Sequence, residues 1–161
     1  MTAKRTISIL VTNHPGVLAR VAGLFSRRGY NIDSIAVGRT EEPLVSRMTI
    51  VLEADKATGE QLIKQLNKLV DTVKVSDVTD DATVERELAL IKVAADSSNR
   101  SEILQIISIF RAKIVDVSEK AAIIEATGDE SKISALIELL RPYGIKELVR
   151  TGKIAMVRTG N

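Results

Sequence analysis

The apolar positions of this chain change period several times, and each change predicts an element. Residues 6–12 (TISILVT) alternate, with Ile7, Ile9 and Val11 on one side, the pattern of a half-buried strand. From Val17 to Arg28 the period lengthens. Val17, Val21, Leu24 and Arg28 share a stripe with Leu18 and Phe25 beside it, which predicts an amphipathic helix closed by Gly29. Residues 31–38 (NIDSIAVG) and 45–53 (VSRMTIVLE) are β-rich runs divided by the turn-like RTEEP. Thr58 to Val70 carries Leu62, Leu66 and Leu69 at helical spacing, with Lys64 and Lys68 on the wet side, and residues 72–79 (TVKVSDVT) alternate again. The predicted order is strand, helix, strand, strand, helix, strand.

The acidic stretch from Asp77 to Glu87 reads as a junction, and after it the order repeats. Residues 87–94 predict a strand, 99–110 a helix, 114–117 and 121–126 two strands, and 131–140 a helix with Ile133, Leu136, Ile137 and Leu140 in register. A last strand over 145–150 precedes a basic tail with Lys153 and Arg158. A βαββαβ order implies a ferredoxin-like sandwich, an antiparallel sheet with two helices on one face. The expected fold class is therefore α+β, with two ferredoxin-like domains over residues 4–79 and 80–161; a single α+β domain without internal repetition is the alternative. Each half is small and leaves a bare sheet face and open edges, so sheets or helices should pair between halves or between chains.

Composition narrows the chemistry. Cysteine is absent, which excludes disulfides, thiolate metal sites and cysteine nucleophiles, and His14 is the single histidine, so no multi-histidine metal site can form. As a lone loop residue with no oriented partner, His14 does not read as a catalytic base. Asp33 and Ser34 read more simply as polar strand positions, and Arg27 and Arg28 as solvated surface. Twenty-three basic against twenty-one acidic residues give a net charge of +2, too balanced for a phosphate-backbone binder. The four aromatics, Phe25, Tyr30, Phe110 and Tyr143, fall on predicted helices and turns rather than on strands, against a sheet that stacks RNA bases. No apolar run approaches the ~20 residues of a membrane span, and the N-terminus lacks a signal-peptide stretch. A cytoplasmic chain with neither nucleic acid nor membrane as partner is expected. With no Walker, G-x-G-x-x-G or zinc spacing, a binding or regulatory body is favoured over an enzyme.

One segment invites a ligand. Asn13-His14-Pro15-Gly16-Val17-Leu18 joins the first strand to the first helix, with Asn13 placed to cap the helix, Pro15 suited to its first turn, and Gly16 putting no Cβ over the exposed amides. Those first-turn N–H groups carry the positive end of the helix dipole and suit a carboxylate or phosphate. An Asp at position 16 should be tolerated there by the helix. A well-capped helix start with no ligand is the competing reading. Asn31 follows the helix, and a second strand lying beside the first would bring it near the helix start. Its amide could serve both charged groups of a free amino acid, with Val17, Leu18, Ile32 or Ile35 as an aliphatic wall. Asn31 could equally satisfy its own turn. The matching turn in the second half has no glycine. There Asn99 and Glu102 form a capping-box pattern that would occupy the amides, confining any effector site to the first half.

The run HPGVLARVAGLFSRRGYNIDSIAVG followed by SRMTI resembles the small regulatory subunits of acetolactate synthase (acetohydroxyacid synthase). The likeness continues through QLNKLVDTVKVSD, VERELALIKV, IFRAKIVDVS and PYGIKELVRTGKIAM and so covers essentially the whole chain. The first half is similar to an ACT domain, a small-molecule-sensing module, and the second to the C-terminal domain of the same subunit. The resemblance implies a chain with no catalytic residue and no cofactor of its own. It implies a catalytic (large) subunit as partner in a transferase holoenzyme of valine, leucine and isoleucine biosynthesis; that partner would hold thiamine diphosphate, Mg and FAD. It further implies activation of that subunit, valine as feedback effector, and a homodimer through ACT domains. By the same resemblance the effector pocket lies between two ACT domains and uses Asn13, Gly16 and Asn31, with backbone of Val17, Leu18 and Ile32. A stand-alone amino-acid sensor is the alternative function.

Overall fold

The structure is a computed structural model that describes residues 1–160 of the 161. It divides into two compact units, Met1–Val84 together with residues 154–160, and Glu85–Lys153.

In the first unit the chain runs β1 (Ala3–Thr12), α1 (Val17–Arg27), β2 (Ile32–Arg39), β3 (Val45–Ala54), α2 (Lys56–Asn67) and β4 (Thr72–Asp77). The strands form an antiparallel sheet in the order β2-β3-β1-β4. Register places Ile7 opposite Ile50 and Ile9 opposite Met48. With Val11 and Leu52 these residues form the buried face, and Val17, Val21, Leu24 and Phe25 of α1 and Leu62 and Leu66 of α2 close over it. The other face is more polar, because the side-chain period of two sends Ser8, Thr49 and Ser76, one row across three strands, to the opposite side. At α2 the Asp55 carboxylate accepts from the Thr58 N–H at 2.6 Å, so the helix starts at Lys56, ahead of the expected Thr58.

The second unit repeats the plan with β5 (Thr83–Ala94), α3 (Arg100–Ile109), β6 (Lys113–Val117), β7 (Ala121–Gly128), α4 (Glu130–Leu140), a short 3-10 turn over Arg141–Tyr143, and β8 (Ile145–Arg150). Its path is β6-β7-β5-β8. Ala89, Ile91, Val93 and Ile124 pack against Ile103, Ile107, Ile133, Leu136, Ile137 and Leu140. The chain is thus α+β with two ferredoxin-like βαββαβ units, as the periods predict.

Three features depart from the expectations. The residues read as a basic tail contain a further strand, β9 (Ile154–Val157), which pairs with β5, and the Arg158 N–H donates to the Ala82 carbonyl. That segment packs with the first unit. β5 also begins at Thr83, inside the stretch read as a junction. Most consequentially, β2 does not lie beside β1: β3 comes between them and pairs with both.

Candidate functional site

The turn between β1 and α1 is built around Gly16. Its φ of +85° lies in the left-handed region, and it occupies the cap position of α1 with no side chain bonded to the first turn. Asn13 does not cap the helix, contrary to expectation. It sits three residues upstream, exposed, and its own N–H donates to the Leu44 carbonyl at 2.8 Å. Pro15 likewise precedes the helix. The Val17 N–H reaches the His14 carbonyl at 3.4 Å, while the N–H groups of Leu18 and Ala19 have no partner among the described residues. The start of α1 is consequently an open set of donors at the positive end of a helix.

Of the expected wall residues, Val17 is buried in the core, so only its backbone is available at the turn. Leu18 is about half exposed at 49%, and Ile32 and Ile35 are partly buried against the core.

Asn31 is exposed and immediately precedes β2, but the structure does not bring it to this turn. Ile32 pairs with Leu52, which pairs with Arg5, near the beginning of β1. Thr12, next to Asn13, pairs with Val45 at the other end of the sheet. Seven residues of strand separate the two rows, roughly 23 Å at the strand rise. Within one chain, Asn13 and Gly16 stand at one end of the sheet and Asn31 and Ile32 at the other. The expected juxtaposition rested on β2 neighbouring β1, and the intervening β3 removes it.

Two residues that the sequence reading did not single out hold the turn in place. Asp71, only 8% exposed, accepts from Arg20 Nε at 2.6 Å and from the Thr12 hydroxyl at 3.4 Å, and its carbonyl accepts from the Thr12 N–H. The end of β1, the outer side of α1 and the entry to β4 are thereby tied together. The hydrogen bond from Arg20 holds the Asp71 carboxyl below the usual carboxylate range, against the opposing effect of its burial. Arg20 also borders Gly16, where a Cβ would come within 3.1 Å of its Nη1. No sequence signal joins Arg20 to Asp71, since they lie 51 positions apart.

The corresponding turn of the second unit does not form the expected capping box, and the Ser101 and Glu102 N–H groups at the start of α3, like those of Leu18 and Ala19, have no partner among the described residues, so the expectation that these amides are taken does not hold. Asn99 Oδ1 accepts from the Asp96 N–H at 2.9 Å and makes no side-chain cap on α3, while Glu102 accepts instead from the Tyr143 hydroxyl at 2.9 Å. The Asp96 carboxylate takes the Ser98 N–H, and its carbonyl takes the Arg100 N–H. Among the described residues no cluster of three or more His, Cys, Asp or Glu could hold a metal ion, and no helix is long and apolar enough to cross a membrane.

Comparison with known proteins gives the same family for both units. Residues 7–74 match the AHAS small subunit-like ACT domain, and residues 86–159 match the family described as the small subunit of acetolactate synthase. The chain is 63% identical over 155 residues to the probable acetolactate synthase small subunit of Archaeoglobus fulgidus, covering 96% of this chain and 97% of that relative. It is 50% identical over 157 residues to the acetolactate synthase small subunit of Mycolicibacterium smegmatis, covering 98% and 92%. The crystal structure of the acetolactate synthase small subunit from Thermotoga maritima aligns with a TM-score of 0.88 at 48% identity, over 97% of this chain and 98% of that one.

Proposed function

Because this chain belongs to the family of acetolactate synthase small subunits, we propose that it binds and activates the thiamine-diphosphate-dependent catalytic subunit and makes that enzyme sensitive to valine. Membership alone gives the coarser statement, a regulatory subunit whose counterpart is a large catalytic subunit. On this reading thiamine diphosphate, Mg and FAD belong to the partner.

The observation that carries the reading is the open start of α1, where Gly16 leaves the Leu18 and Ala19 amides uncovered for an amino acid's carboxylate. Asn31, at the far end of the sheet, supports a site completed by a second copy. β2 is an edge strand, and an unpaired edge is a template for another strand. If two β2 strands pair antiparallel across a two-fold axis, the start of one lies beside the end of the other. Asn31 and Ile32 of one copy then share an end of the joint sheet with Asn13, Gly16, Val17 and Leu18 of its partner. Valine bound between the copies would favour one dimer arrangement over another, and a coupling of ~1–3 kcal/mol suffices for such a shift. Asn31→Ala removes a hydrogen bond to a charged group and weakens valine by about 1.5–3 kcal/mol, tenfold or more.

The test is acetolactate formation by the catalytic subunit, with and without this chain, across valine concentrations. The reading expects higher activity with the chain and inhibition by valine only in its presence. Unchanged activity and unchanged valine response on adding the chain would overturn it.

A further inference from the structure

The face of the first sheet turned away from α1 and α2 holds a cavity that shares no residue with the β1–α1 turn. We propose that it is a second small-molecule site, one that takes a small carboxylate with a short aliphatic chain. Its volume is about 420 Å³, within the range of small-ligand pockets.

The sheet register builds its chemistry. Leu10 on β1 pairs with Arg47 on β3 at one side and with Lys74 on β4 at the other, so one row reads cation, aliphatic, cation. The next row across the same face is Thr49, Ser8 and Ser76, three hydroxyls. The two cations stand two strands apart, about 10 Å at the spacing of a sheet, and side chains of their length can converge over Leu10.

Neither cation is neutralised. Arg47 Nη1 donates to the Ser8 hydroxyl at 2.7 Å, which leaves most of its five N–H donors unused. Among the described residues no carboxylate pairs with Arg47, and the Lys74 ammonium group has no hydrogen-bond or ion-pair partner. Two like charges facing one cavity repel, and an anion between them turns that repulsion into attraction. Carboxylate geometry also suits a guanidinium fork, with a hydroxyl beneath to take up a remaining lone pair.

The aliphatic part of the ligand follows from the rest of the lining. Leu10, Val78 and Met156 also border the cavity, and Met156 on β9 is 74% exposed, apolar surface that a short hydrocarbon chain would cover. Asp81 lines the cavity as well and could receive an ammonium group if the ligand carries one. A 2-oxo acid and an amino acid share the carboxylate and the chain, and differ at that point.

The experiment is amide NMR of the full chain titrated with 3-methyl-2-oxobutanoate, with valine, and with inorganic phosphate. Saturable shifts are expected at Ser8, Leu10, Arg47, Lys74 and Ser76 with at least one organic probe. Binding there should weaken tenfold or more in Lys74→Ala and recover in Lys74→Arg. Preference for valine over the oxo acid, abolished by Asp81→Asn, assigns the site to amino acids; preference for the oxo acid, indifferent to Asp81→Asn, assigns it to carboxylates without an amine. Either supports the proposal. No saturable shift at these amides, the same affinity in Lys74→Ala, or phosphate binding as well as both organic probes would overturn it. Shifts confined to Gly16 and Asn31 would report the effector turn alone and count against a second site.

Discussion

Gly16 and Asp71 act on the same turn by different means, one through backbone conformation and the other through charge. A side chain at position 16 meets a positive φ, which costs an L-residue about 1–2 kcal/mol, and its Cβ would press on Arg20 Nη1. Gly16→Ala is therefore expected to lower the melting temperature modestly while removing valine inhibition. Gly16→Asp is not as benign as a reading from helix electrostatics alone suggests, because position 16 is left-handed. Asp enters that region more readily than most residues, however, and it would bring a carboxylate to Arg20. The contrasting change is Asn99→Ala in the second unit, which loses the bond from the Asp96 N–H and should leave the valine response intact. Dose–response curves with the reconstituted enzyme separate the three variants. The place of Gly16 at the helix start was legible because Pro-Gly directly precedes an amphipathic stripe. The Arg20–Asp71 pair was not, because two ordinary surface-type residues far apart in sequence carry no local pattern. Asp71 stabilises the fold where its carboxyl is ionised: with its folded pKa held below 3.8, the contribution is full above that pH and fades as pH falls through the lowered value. Asp71→Asn should thus melt earlier than the parent at pH 7, and the gap measured by calorimetry should narrow below about pH 3.8.

Among the elements, the two halves resemble each other most closely at the starts of their second helices. α2 opens with the Asp55 carboxylate accepting from the Thr58 N–H, and α4 with the Asp129 carboxylate accepting from the Lys132 N–H. Hydrogen bonding holds both carboxyls below 3.8, led by Thr58's side chain for Asp55 and by Lys132's backbone for Asp129. Asp55→Ala and Asp129→Ala should each lower thermal stability near neutral pH. The sign is the same as for Asp71: folded pKa lowered, stabilisation present above 3.8, and loss of the difference on acidification through the folded value. Far-UV melting curves at several pH values check it. Helices and core strands were readable from period alone, since Ile7, Ile9 and Val11 or Ile133, Leu136 and Ile137 print their buried face into the sequence. Strand order is announced by no single residue but follows from the ferredoxin-like class, in which a strand splits the first βαβ unit, so a reading that set β2 beside β1 was at odds with its own fold class. β9 escaped for a different reason: its four residues are mostly exposed and its identity rests on backbone pairing.

For the whole molecule, the separation of Asn31 from Gly16 along one sheet turns the question of the effector site into one of assembly. If each chain bears half of each site, as proposed, it should be at least a dimer under conditions where valine binds, so sedimentation at micromolar concentration is expected to give twice the 17.5 kDa chain mass or more. The family resemblance carried the idea of a shared pocket, and the register shows only that its expected residues lie at opposite ends of the sheet within one chain. The most direct measurement mixes two defective chains, Gly16→Asp and Asn31→Ala, unfolds and refolds them together, and assays acetolactate formation by the catalytic subunit at a valine concentration to which neither variant responds alone. In a mixed dimer one pocket combines both lesions, while the other joins an intact Gly16 turn from one chain to an intact Asn31 from its partner. Valine inhibition regained by the mixture, and absent from each variant refolded by itself, is the predicted result. A mixture as indifferent to valine as its two components would contradict a site shared between copies.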